Sequence, residues 1–161
     1  MDVYIAIGSN IDPTKNITRA INHLKEQLEI KKISPIYRSK PVGYLEQPDF
    51  LNAVIKVETN YAPKHLMNYL KQIEEKLKKD KKIKDGPRTI DLDILLYGQI
   101  QSNDPIIPHP RMHQRRFVLQ PLCDIDKEIM HPTIRQTAKQ LLENCKDQQL
   151  TTFGHVHQKI N

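Results

Sequence analysis

Asp91 and Asp93 are the residues whose type and spacing point most directly to chemistry. They sit in the stretch Gly86-Pro87-Arg88-Thr89-Ile90-Asp91-Leu92-Asp93-Ile94-Leu95-Leu96-Tyr97-Gly98, which otherwise reads as a strand. In an extended chain, side chains two positions apart share a face. The two acids therefore point the same way, and Ile90, Leu92, Ile94 and Leu96 are expected on the other face. Like charges held together in a partly buried site repel by about a few kcal/mol at an effective dielectric near 20, so the pair needs a proton or a cation. Three arrangements meet that need: a carboxyl pair sharing one proton, ordinary salt bridges to lysines, or hard-oxygen ligands for Mg²⁺. The surroundings favour the last. From Lys71 to Arg88 the basic residues are Lys71, Lys76, Lys78, Lys79, Lys81, Lys82, Lys84 and Arg88, against Glu74, Glu75, Asp80 and Asp85. Magnesium takes one or two protein carboxylates together with waters and substrate phosphates, and neighbouring cations can neutralise those phosphates. Arg88, beside Pro87, has a planar fork suited to a phosphoryl group. No GxxxxGK[ST] loop is present, so a nucleotide must be held by other means.

A second cluster is His109-Pro110-Arg111-Met112-His113-Gln114-Arg115-Arg116-Phe117. As a zinc motif it lacks the Glu and the helical context, whereas histidine and arginine together suit phosphate. A third is Gln47-Pro48-Asp49-Phe50-Leu51-Asn52-Ala53, with an aromatic and an amide at the mouth of a strand. Phe50 and Phe117 fit a hydrophobic core, or, beside polar groups, the two faces of a flat heterocycle.

The elements that must position these residues follow from apolar periodicity. Val3 to Ile7 is an apolar strand ended by a Gly8-Ser9-Asn10 turn. Asp12 and Pro13 open a helix running to about Leu28, with Ile17, Ala20, Ile21, Leu24 and Leu28 inward and Asp12 as N-cap. Ile30 to Arg38 and Phe50 to Thr59 read as strands, the second with Leu51, Ala53, Ile55 and Val57 on one face and Asn52 on the other. Pro63 to about Leu77 is a helix through Leu66, Leu70, Ile73 and Leu77, followed by a Lys-rich loop and a strand over 89–97. Pro105, Pro108 and Pro110 mark a loop, Phe117 to Leu122 reads as a short strand, and Thr133 to Cys145 as a terminal helix with Ile134, Ala138, Leu141 and Leu142 inward. The order strand, helix, strand, strand, helix, strand predicts an α+β fold. The order resembles that of a ferredoxin-like αβα sandwich with a mainly antiparallel sheet and an additional C-terminal helix.

The chain has 161 residues, 38% of them hydrophobic, which predicts one domain over 1–161 whose tail, from about 147, carries little pattern. No apolar run is long enough to cross a membrane and no leader is evident, so a soluble cytoplasmic chain with no membrane partner is expected; a monomer is the expected state. Cys123 and Cys145 match no metal-ligand spacing and read as reduced thiols. The net charge of +6 suits a phosphate-bearing ligand. It does not argue for nucleic acid, because the strands lack an aromatic-rich RNA-binding pattern and the basic excess is concentrated before Asp91.

Ile7-Gly8-Ser9-Asn10, Gln47 to Asn52, Gly86 to Leu95, and His109 to Met112 continuing through Phe117-Val118-Leu119 and Pro121-Leu122 closely resemble the 6-hydroxymethyl-7,8-dihydropterin pyrophosphokinases of folate biosynthesis. The resemblance runs from about Val3 to Leu122, and its long GPRTIDLDIL string is highly specific. It implies transfer of the terminal diphosphate of ATP to the hydroxymethyl group of the dihydropterin, with release of AMP. Carried over by position, Asp91 and Asp93 would bind two Mg²⁺ ions. Arg88, His109, Arg115 and, on the second helix, Lys71 and Glu74 would contact ATP. Ser39, Val42, Phe50, Asn52 and Phe117 would contact the pterin. Family members usually carry Leu-Gly-Arg and Arg-Trp where this chain has Leu77-Lys78-Lys79 and Lys84-Asp85. The resemblance thus implies that Lys79 and Lys81 partly replace catalytic arginines, that transfer is slower than usual, and that the lid has lost its Trp. The alternative is a degenerate homologue that binds pterin or ATP without efficient turnover.

Overall fold

Val3, Ile5 and Ile7 alternate with Tyr4 and Ala6, so the first strand has an apolar side chain for each of two faces, and both faces are covered. In the computed structural model, which describes residues 1–41, 46–77, 89–147 and 151–155 (151–153 as backbone), this strand, β1 (Asp2–Ser9), lies inside a six-stranded sheet. The others are β2 (Glu29–Ile33), β3 (Ile36–Ser39), β4 (Phe50–Glu58), β5 (Asp91–Tyr97) and β8 (Thr151–Gly154). Their order is β5-β1-β4-β3-β8, with β2 also pairing with β4, and every pairing is antiparallel. A small hairpin, β6 (Ser102–Asn103) and β7 (Ile106–Ile107), occupies the proline-rich loop.

Helices α1 (Pro13–Lys25) and α2 (Pro63–Lys76) cover one face. Their Ile17, Ile21, Leu24, Leu66, Leu70 and Ile73 pack on Val3, Ile5, Ile55, Val57, Leu92 and Ile94. Fully burying one such side chain contributes roughly 1.5–3 kcal/mol. Helices α3 (Arg116–Asp126) and α4 (Ala138–Glu143) cover the other, where Val118, Leu122, Ile125 and Ala138 meet Tyr4, Val54, Leu95 and Leu96. Tyr4 Oη donates to Asp126 at 2.7 Å, and Tyr37 Oη donates to Asp124, so two phenols tie α3 to the sheet. The result is the expected α+β sandwich, with α1 and α2 on one side and the C-terminal helices on the other.

Several local expectations are corrected. Gly8 and Ser9 continue β1 instead of turning, because both pair with β4. Asp12 precedes α1 with φ 39° and no capping side-chain bond, and α1 ends at Lys25, although Leu28 remains buried. The strand expected over 30–38 is broken at Ser34-Pro35: Pro35 has no N–H to donate, and Ser34 bonds Val54 through its amide (3.0 Å) and its accepting hydroxyl (2.9 Å). Residues 117–122 are helical, not a strand. Val118, Leu119, Leu122 and Ile125 make a helical stripe, and the helix tolerates Pro121 within it. The terminal helix covers only Ala138–Glu143. Thr137 and Gln140 form a capping box that starts it there, while Arg135 at φ 66° lies before it and Ile134 is exposed rather than inward. On β5 a bulge opposite Tyr4 and Ile5 resets the alternation, so Leu96 joins Leu95 on the α3 face rather than sharing a face with Ile94.

Candidate active site

Pairing register assembles the site. Asp91 on β5 lies opposite Gly8 on β1, and Gly8 lies opposite Asn52 on β4; one step along, Asp93 lies opposite Ala6, and Ala6 opposite Val54. Residues directly paired across a sheet share a face, here the one covered by α3. Asp91 and Asn52 are therefore two strand spacings apart, roughly 10 Å, with no side chain between them. A Cβ on Gly8 would lie 3.3 Å from Asn52 Oδ1, which shows how closely that amide leans over the glycine.

Ala6, Gly8, Asn52, Asp91 and Asp93 floor a pocket of about 180 Å³, whose walls include Ser39, Lys40, Phe50, His109, Arg115 and Phe117. Of the predicted site residues, Ser39, Phe50, Asn52, Asp91, Asp93, His109, Arg115 and Phe117 all line this one cavity. Asn52 Nδ2 donates to Ser39 Oγ at 2.7 Å, which fixes the orientation of the amide. The Arg115 guanidinium lies 5.5 Å from the centre of the Phe117 ring, a cation–π contact at the start of α3. Val42, Lys79, Lys81 and Arg88 lie outside the described residues. Lys71 and Glu74 are on α2, across the sheet from the pocket. Lys71 is exposed, whereas Glu74 is buried and accepts the Leu92 N–H at 2.8 Å.

His109 is held at both ends. Its own N–H donates to Leu95 O at 3.0 Å, and its Nδ1 accepts the Arg111 N–H at 3.1 Å. An Nδ1 that accepts carries no proton, so the neutral ring bears its hydrogen on Nε2. Burial, then the charges of Arg115 and Arg111, push its pKa down to about 4, so the ring enters neutral solution as an uncharged donor.

The pocket also tests the fit of a divalent cation. Among the described residues no three His, Cys, Asp or Glu side chains converge on a metal position, and Asp91 and Asp93 are the two carboxylates that line the pocket. That donor set matches Mg²⁺, which completes its shell with waters and phosphates, and not a closed zinc site.

Sequence reasoning did not single out Gly8 and Ala6 as the floor, nor Ser9 and Asn10 as its fasteners. Ser9 Oγ donates to Thr89 O at 2.6 Å, and Asn10 Nδ2 donates to Gln47 Oε1 at 2.8 Å and Pro48 O at 3.0 Å. The available signal was the run of small and amide residues directly after an apolar strand.

Fold and pocket together define a ferredoxin-like α+β protein with paired strand carboxylates facing an arginine and a histidine. The family model described as 7,8-dihydro-6-hydroxymethylpterin-pyrophosphokinase matches residues 4–127. A 2-amino-4-hydroxy-6-hydroxymethyldihydropteridine pyrophosphokinase of Aquifex aeolicus is 40% identical over 141 residues, covering 86% of this chain and 88% of the relative. Its counterpart in Bacillus subtilis is 40% identical over 131 residues, 78% of each chain. A folic acid synthesis protein of Dictyostelium discoideum is 39% identical over 158 residues, 96% of this chain but 23% of the relative, so the chain spans about a quarter of that longer protein. In the solved Plasmodium falciparum HPPK-DHPS, the similar region covers 88% of this chain and 44% of that one, at a TM-score of 0.70 and 15% identity, a likeness of fold. The chain belongs to the 7,8-dihydro-6-hydroxymethylpterin-pyrophosphokinase family. No helix among the described residues is long and apolar enough to cross a membrane.

Proposed function

We propose that the chain transfers the terminal diphosphate of ATP to the hydroxymethyl group of 6-hydroxymethyl-7,8-dihydropterin, the pyrophosphokinase step of folate biosynthesis. The hydroxymethyl oxygen attacks the β-phosphorus, the bond from that phosphorus to the α-phosphate bridging oxygen breaks, AMP leaves and the hydroxyl proton passes to solvent. The observation that carries this reading is the row Asp91–Gly8–Asn52: an acid pair suited to the phosphates and an amide suited to a heterocycle edge, separated by an unobstructed strip of sheet.

Asp91 and Asp93 hold two Mg²⁺ ions, which when bound supply neutralisation of the polyphosphate charge. His109, through Nε2–H, and Arg115 donate to the phosphates; Lys71 is a nucleotide contact on the resemblance alone, since α2 lies across the sheet from the pocket. Asn52, steadied by Ser39, reads the pterin edge, with Phe50 and Phe117 against its faces; the resemblance adds Val42 as a further pterin contact. Arg88, Lys79 and Lys81 contact the transferring group; their sequence position and charge support this role. Catalysis is then positioning plus electrostatics, as in phosphoryl transfer generally.

The test is AMP release from ATP and Mg²⁺ with and without 6-hydroxymethyl-7,8-dihydropterin. Pterin-dependent AMP with formation of the pterin diphosphate is expected; binding of both ligands without AMP above background overturns the proposal.

A further inference from the structure

Leu92 is the residue between the two acids, and its backbone is held from outside the sheet. Among the described residues β5 is an edge strand whose sheet partner is β1, so amides directed away from β1 have no ladder partner there. At Leu92 that amide donates to Glu74 Oε2 on α2 at 2.8 Å. Glu74 is 7% exposed and sits on the same helical stripe as Leu66, Leu70 and Ile73. A carboxylate is a costly choice there, since an apolar side chain would pack without desolvating a charge. It belongs to the α1–α2 face, opposite the pocket, and among the described residues no group of three acids, histidines or cysteines that could hold a metal includes it.

We propose that Glu74 is a positioning residue for the acid pair: by accepting the Leu92 amide it fixes the backbone between Asp91 and Asp93, and so sets the separation and direction of the two carboxylates. This rests on the reading of those acids as the Mg²⁺ ligands. It assigns Glu74 a task distinct from nucleotide contact, since the carboxylate acts through main chain from the far side of the strand. The property required is an acceptor at that point, which Gln also provides and Leu does not. Residues that orient metal ligands in this way typically govern metal affinity by about 10–100-fold.

The experiment measures Mg²⁺ binding by calorimetry in the presence of a nonhydrolysable ATP analogue, together with exchange of the Leu92 amide by NMR. In the native chain the amide is expected to be protected. Glu74→Leu is expected to lose that protection and weaken Mg²⁺ binding about 10–100-fold, whereas Glu74→Gln restores both. Native metal affinity in Glu74→Leu overturns the inference, as does failure of Glu74→Gln to rescue, which would make charge the operative property. Asp93→Asn separates the two levels. If it binds Mg²⁺ like the native chain, the acid-pair reading itself fails; if it is weakened while Glu74→Leu is unchanged, only the present inference falls. Should Glu74→Leu not fold, the native chain still decides, because a Leu92 amide exchanging as fast as an open edge amide overturns the proposal.

Discussion

Gly8 stands directly opposite Asn52 in the β1–β4 ladder, and a Cβ there would approach Asn52 Oδ1 to 3.3 Å. The backbone at Gly8 is ordinary strand, so Gly8→Ala imposes crowding and not conformational strain. The Asn52 amide must give by a few tenths of an ångström, away from its 2.7 Å bond to Ser39. Gly8→Ala is expected to raise KM for the pterin about tenfold, about 1.4 kcal/mol, with Tm nearly unchanged. Steady-state kinetics at saturating ATP beside a thermal melt check this; an unchanged pterin KM would show that the floor tolerates a methyl group.

Asp93→Asn removes one charge from the pair while keeping its shape. Loss of a group that stabilises charge during transfer typically costs about 10²–10³-fold in kcat, and the same range is expected here. The variant should also show a smaller rise in melting temperature on addition of Mg²⁺ than the native chain. Turnover and melts with and without Mg²⁺ read both effects.

The acid pair was legible because a two-residue period needs only local sequence, and the helices α1 and α2 were legible from spacings of three and four. The row joining Asp91, Gly8 and Asn52 was not, since register between strands far apart in the chain is a long-range property. Gly8-Ser9 read as a turn because those residue types favour turns; pairing with β4 overrode the preference. Phe117 to Leu122 reads as a strand from its short apolar run, yet the burial of Val118, Leu119, Leu122 and Ile125 at helical spacing decides for a helix, Pro121 included. The β5 bulge at Leu95 leaves no mark in an apolar run, so the face of Leu96 was misassigned. Glu74 carried a readable signal, a charge four residues after Leu70 on the buried stripe, whose partner only the tertiary structure reveals.

The His109 pKa makes an acid-lability prediction with a definite sign. Its folded value is pushed down to about 4, below the 6.5 of an ordinary histidine, so the folded state binds fewer protons than the unfolded one. The stabilisation is complete above about pH 6.5 and is lost as pH falls towards 4. After allowance for partial exposure, the loss is on the order of 2 kcal/mol. His109→Asn, which offers an acceptor to the Arg111 N–H but does not titrate there, is expected to flatten the fall in Tm between pH 6.5 and 4. His131 contributes in the same direction: its pKa is lowered by burial and then by His113, and its Nδ1 accepts the N–H groups of Thr133 and Ile134. Some slope should therefore survive in the variant. Equal slopes in both proteins would assign the acid sensitivity elsewhere.

Ser9 and Asn10 are adjacent, buried, and fasten opposite sides of the site. Ser9 Oγ holds the carbonyl of Thr89, two residues before Asp91, while Asn10 Nδ2 holds Gln47 and Pro48, just before Phe50. Each deletion removes buried hydrogen bonds and should cost about 1–3 kcal/mol of stability. The kinetic consequences should divide by substrate. Ser9→Ala loosens the approach to the acid strand and is expected to raise KM for ATP several-fold with little change for the pterin. Asn10→Ala loosens the approach to Phe50 and should do the reverse. Measuring both constants in both variants settles whether the two bonds act separately; if either variant raises the two KM values together, the pair works as one rigid bracket and the division by substrate is wrong.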